Sequence, residues 1–276
     1  MRVVLRARGD FGEWREAARS LLAQGVEPRD IDWLSEDAVG QELFPPMSGP
    51  KSLVRPVSVP KDFLPLAESL ICHSDSARFD LAYRLLWRLQ DEKNLLLIKS
   101  DPDVARAHKL NRSVHRDSHK MHAFVRFKEV PAQGVRRAFV AWFEPDHFIV
   151  ARNAGFFQRR FTDMNWLIAT PKGAIAWDGE TVRFSDEPAD QPEITDEADE
   201  LWRTYFANIF NPARLKVKMM QSEMPKKYWK NLPEAALIPD LIAGAEQRVR
   251  EMAERAASDQ APAFHARLES HRRQGR

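Results

Sequence analysis

The sequence predicts an α+β fold: a mostly antiparallel sheet packed with helices, preceded by a small β-α-β N-terminal piece. Three observations predict it. Val104, Ala107, Leu110, Val114, Ser118 and Met121 recur every three or four positions, which is one face of an amphipathic helix. Asn165–Thr170, Gly173–Trp177 and Thr181–Phe184 are short strand-like runs joined by TPKG and DGE, which fit tight connections. The first 34 residues read strand, capped helix, strand, and strands with helices laid on them bury both kinds of apolar face.

Taken in order, Arg2–Ala7 is the first strand. Asp10 caps the helix that follows, with Glu13 three residues on as in a capping box, and Gly25 ends it. Ile31–Leu34 is the second strand. Gly, Pro and Ser cluster between Glu36 and Pro60 and read as a linker, with a boundary near residue 56. Asp62–His73 and Ala77–Gln90 are helices, and Leu95–Ile98 is a buried turn or a short helix extension. Asp101-Pro102 starts the long histidine-rich helix, proline standing at the first helical position. Residues 123–129 read as strand, PAQG at 131–134 as a turn, and Arg137–Phe143 as a central strand. Glu144-Pro145-Asp146 breaks that strand and caps a helix from His147 to Phe161. Residues 186–199 form an acidic loop, 201–210 and 214–221 are helical, and the stretch from Leu232 ends in a long charged helix. The main domain is expected over 57–257 and a disordered tail over 258–276.

The chain holds no apolar run long enough for a membrane span, and its first residues lack a secretory leader's apolar stretch. One cysteine, Cys72, excludes an intrachain disulfide and any four-cysteine zinc or iron–sulfur site, and fits a reducing, cytoplasmic setting. Net charge is only +2, yet the charges are segregated. Arg106–Arg160 holds twelve Lys/Arg against four Asp/Glu, whereas Asp178–Glu200 holds ten acids against Arg183. A cationic centre and an acidic strip imply separate faces, with ordinary scatter around one solvated acidic loop as the plainer explanation.

His108, Arg112, His115, His119 and His122 recur at spacings of 4, 3, 4 and 3, a second face of the long helix. His115 and His119 stand as two metal ligands on a helix would. Arg116 occupies the place where a metalloprotease carries Glu, and although the fold could bring Asp117, Glu144, Asp146 or His147 close in space, the spacing marks none of them as a third ligand. No metal and no cofactor is therefore expected. Glu144-Pro145-Asp146-His147 lies at a strand-to-helix junction, a common place for functional groups. An enzyme acting on DNA would use His119, Glu144 and His147 there, with or without a metal. The plainer alternative makes Asp146 an N-cap and pairs Glu144 with Arg126 or Arg160.

Bases are interleaved with aromatics in three places: Arg126/Phe127, the run Phe156 to Phe161 with Arg159 and Arg160, and Lys226-Lys227-Tyr228-Trp229-Lys230. Cations neutralise phosphates and exposed rings stack on unpaired bases. Arg112, His115, Lys120, Arg126, Arg159, Arg160, Lys226, Lys227, Tyr228 and Trp229 are the candidate nucleic-acid-binding residues. Phe157 and Phe161 fit the core by their spacing, while Tyr228 and Trp229 are the rings expected to be exposed.

HKMHAFVRF at 119–127, EPDH at 144–147, GFFQRRF at 155–161 and MPKKYWKNLPE at 224–234 also carry a resemblance. In that order they resemble a bacterial family assigned to DNA metabolism or DNA repair, with no settled reaction. Its members are fused to, or encoded beside, a UdgX-type uracil-DNA glycosylase and a radical-SAM protein. The resemblance implies a DNA-repair accessory module that binds DNA or those two partners. The glycosylase's own cluster-bearing catalytic domain does not fit a chain with one cysteine. A third reading is an interaction protein using the acidic strip 186–200 and the C-terminal helix.

Overall fold

A computed structural model describes residues 1–5, 9–35, 57–131, 136–191 and 223–239. The linker and boundary of 36–56, most of the PAQG turn, most of the acidic loop, the helices of 201–221, the long charged helix and the tail lie outside those residues. The chain forms two compact units, Met1–Ile194 and Thr195–Arg276.

The first unit opens with the expected β-α-β piece. β1 (Arg2–Leu5) pairs in parallel with β2 (Asp32–Ser35), and α1 (Phe11–Ala23) connects them. Asp10 Oδ1 accepts from the amides of Gly12 and Glu13, so the predicted cap is in place. Gly25 ends the helix with φ of 70°, a conformation glycine adopts without a Cβ clash. Trp14 and Trp33 are buried and join the core of α2 (Phe63–Ile71) and α3 (Arg78–Arg88), where Trp33 lies 5.8 Å from the ring of Tyr83. The Tyr83 hydroxyl donates to the Val26 carbonyl at 2.8 Å.

α4 (Pro102–Phe124) is the longest element, and its apolar face is the predicted one, with Val104, Ala107, Leu110, Val114 and Met121 buried. Asp101 caps it through the amides of Asp103 and Val104. Arg88 holds Asp101 at 2.8 Å and Arg84 holds Asp103 at 2.9 Å, tying the start of α4 to α3. That bond to Arg88 draws the Asp101 carboxyl below the usual carboxylate range.

A five-stranded sheet follows in the order β3-β4-β5-β6-β7, with β3 (Lys128–Val130), β4 (Ala138–Trp142), β5 (Asn165–Thr170), β6 (Gly173–Trp177) and β7 (Val182–Ser185). Only the β4–β5 pair is parallel, and α5 (Val150–Arg160) is its crossover. Trp166, Ile168, Ile175 and Trp177 bury one face of the sheet, as do Val150, Ala154 and Phe157 of α5. Gly173 turns β5 into β6 with φ of 113°, and a Cβ there would stand 2.5 Å from the Ser185 carbonyl oxygen.

In two places the boundaries differ from the sequence reading by several residues. α4 runs on to Phe124, so the strand expected over 123–129 shrinks to Lys128–Val130. Arg126 caps the helix end by donating to the carbonyls of Ala123 and Val125, which holds 125–127 out of the sheet. α5 starts at Val150, with Ile149 and not Asp146 at the cap position. The amides of His147 and Phe148 are drawn off to Asp117 and to the Cys72 carbonyl, so those residues do not enter the helix.

The described part of the second unit is two short 3-10 helices, Lys226–Asn231 and Pro233–Leu237. Tyr228, Leu232, Ala235 and Ile238 are buried, at close to the three-residue period of such turns.

Candidate nucleic-acid interface

α4 sorts its side chains by charge. Asp101 and Asp103 stand at its N-terminal end, where the helix dipole favours acids. From Val104 to Phe124 the bases are Arg106, Lys109, Arg112, Arg116 and Lys120, against the single acid Asp117. Asp117 is 3% exposed, and its Oδ2 accepts from the His147 amide at 2.8 Å. Lys109, Arg112, His115, Arg116 and His119 are exposed, and Lys120 is half-buried. Arg106 bonds Asp75 at 2.9 Å, whereas Lys109, Arg112, Arg116 and Lys120 form no ion pair with a described residue. The outer side of α4 is thus a continuous cationic and imidazole stripe.

The inner side holds a polar knot that periodicity alone did not single out. His147 is buried, and its Nδ1 accepts the Ser74 amide at 3.3 Å, so in the neutral ring the proton sits on Nε2. Nε2 lies 2.9 Å from Ser113 Oγ on α4. The His73 ring lies 4.1 Å from that of His147, and its Nδ1 accepts the Asp75 amide at 2.9 Å. Burial holds His73 below the usual histidine range, against the pull of nearby Asp75. His147 therefore ties the end of α2, the middle of α4 and the turn before α5 together. Ser113 and Asp117 are four residues apart on one face, and Asp117 sits three after Val114 and four before Met121. That spacing was the available signal that a carboxylate points inward.

The three groups of the catalytic reading sit in different surroundings. His147 has both ring nitrogens engaged inside the knot. His119 is exposed and lies about 200° around the helix from Asp117, at roughly 100° per residue. Glu144 is half-buried and accepts from the Trp142 indole at 3.2 Å. Cys72 is buried, and burial pushes its thiol up to about 11, which leaves it a packing residue. Among the described residues, no group of three His, Cys, Asp or Glu side chains could hold a metal ion.

The aromatic runs turn onto one another where α4 meets α5. His122 stacks on Phe156 at 3.7 Å, and Phe127 packs edge-on against Phe157 and Phe161. Burial holds His122 below the usual histidine range, although a hydrogen bond with Asn153 pulls upward. Arg126 is half-buried at the cap of α4, while Arg159 and Arg160 are exposed at the end of α5. In the second unit Lys226 and Lys227 are exposed, but Tyr228 is 1% exposed and Trp229 is half-buried. The Trp229 indole donates to the Met224 carbonyl at 3.0 Å. The expectation of two exposed rings there is corrected: Tyr228 heads the apolar row that the 3-10 spacing creates.

A family described as a domain of unknown function, DUF4130, matches residues 76–234, more than half of the chain. The chain belongs to the DUF4130 family. The DUF4130 match takes in α3, the whole α4 stripe, His147, the aromatic cluster and the Lys226–Trp229 segment. β1, α1, β2 and α2, with His73, Ser74 and Asp75, precede it. No curated protein and no solved structure gave a significant match.

Proposed function

We propose that this protein is a DNA-binding accessory module of a DNA-repair system, working beside a UdgX-type uracil-DNA glycosylase and a radical-SAM protein. The observation that carries the DNA-binding reading is the outer stripe of α4. Arg112, Arg116 and Lys120 stand four apart, and like charges at that spacing destabilise a helix by about 0.2–0.5 kcal/mol per pair. A helix that keeps this repulsion on its surface, with its one inner acid buried, presents a surface suited to phosphates. The four ordered motifs resembling the repair-associated family supply the biological setting and the two partners.

Fluorescence anisotropy with labelled oligonucleotides tests it. Binding is expected at low salt, with log K falling linearly in log[salt]. Arg112→Glu combined with Arg116→Glu is expected to abolish binding while leaving the melting temperature unchanged, because both side chains are exposed. No binding by the parent protein at low salt overturns the proposal.

A further inference from the structure

Resting on that reading, we infer that the α4 stripe is built for double-stranded rather than single-stranded DNA. Proteins that hold single strands combine cations with exposed rings on which bases stack, each ring contributing about 1–3 kcal/mol. The sequence interleaves bases and aromatics as such a protein would, but the fold engages those rings with one another, leaving Phe127, Phe156, Phe161 and Trp229 half-buried and Phe157 and Tyr228 buried. Phe127, Phe157, Phe161 and Trp166 pack on one another, and Phe156 gives a face to His122. Tyr228 is buried and the Trp229 indole is bonded to backbone. Among the described residues the large exposed ring is Phe184, on the edge strand β7 and not on either helix of the basic region.

What the stripe offers instead is a straight row of cations. Lys109 to Lys120 spans about 16 Å at 1.5 Å per residue, inside a helix about 34 Å long. A duplex carries one charge per roughly 1.7 Å of axis, twice the density of one of its strands, so a rigid row without rings gains more on a duplex. The row is fixed in place: Arg84 and Arg88 anchor the start of α4, and Arg126 caps its end. A preset row suits the regular phosphates of a duplex better than the variable path of a single strand.

The test uses the full chain and labelled DNA about two helical turns long, as duplex and as single strand. The duplex is expected to bind at least about tenfold tighter, with a salt slope near −3.6 for four neutralised phosphates. Arg112→Ala and Arg116→Ala are each expected to shallow the slope by about one. Phe184→Ala is expected to leave the ratio of duplex to single-strand affinity unchanged. Single-strand binding as tight as duplex binding overturns this inference and leaves the DNA-binding proposal standing. No binding to either form overturns the proposal itself.

Discussion

At the scale of single residues, neighbours in α4 do opposite work. Arg116 is exposed on the outer stripe, and Asp117 is buried against the His147 amide. Asp117→Ala leaves that amide without its acceptor, which costs about 1–3 kcal/mol of stability. DNA affinity of the folded protein should not change. Arg116→Ala should do the reverse, weakening DNA binding and leaving stability within about 0.5 kcal/mol. Urea unfolding and anisotropy on the two variants check the contrast; equal effects on both readouts would remove the division of α4 into an inner and an outer side. The stripe was legible because exposed positions are set by helical phase alone. The fate of Arg126 was not: its cationic head looked free for phosphate, and only the fold shows that the Ala123 carbonyl takes it. His147 was flagged for chemistry, yet its two serine partners come from positions 34 and 73 residues away in the chain.

At the scale of elements, the start of α4 and its apolar face were read correctly from Asp101-Pro102 and the spacing, since both are local, while its end was not. Its cap has a second duty, which gives a prediction. Asp10 and Asp101 both cap helices, but Asp101 also holds Arg88 at 2.8 Å with a side chain only 12% exposed. Asp10→Ala should cost about 1 kcal/mol, the usual worth of a cap. Asp101→Ala should cost clearly more, because it also strips Arg88 of a charged partner, and urea unfolding of the two variants side by side measures the difference. Equal costs would mean that the Arg88 bond contributes nothing. The late start of α5 was not legible, because the amides of His147 and Phe148 go to Asp117 and Cys72, and neither partner is near in sequence. Likewise the parallel β4–β5 register depends on α5 crossing over, which strand patterns do not reveal.

At the scale of the whole molecule, stability should depend on pH through the half-buried imidazoles of His73 and His122. His73 and His122 are held below the usual histidine range mainly by burial. The unfolded chain therefore takes up protons near pH 6.5 that the folded chain refuses. Their contribution is fully present above about pH 6.5 and is lost as pH falls through the lower folded values. Urea unfolding between about pH 8 and 5 should show stability falling on acidification, and His122→Phe, which keeps the stack on Phe156, should flatten the fall. A profile that rises toward acid would contradict this. No helix among the described residues is long and apolar enough to cross a membrane, as the sequence indicated. The α+β class and the β-α-β opening were legible, being sums of local patterns; the packing of Trp33 on Tyr83 was not. The sheet's one parallel junction also sets an order of assembly. β5, β6 and β7 are joined by tight turns at Gly173 and at Asp178, whose Oδ1 accepts the amides of Glu180 and Thr181, so this meander closes only short loops. β4 can join β5 only after the chain from Phe143 to Met164 has looped round and laid α5 on the sheet, a longer closure with a larger entropy cost. Loop-closure entropy therefore favours the meander as the early half of the sheet, with α5, and Arg159 and Arg160 at its end, expected to dock later.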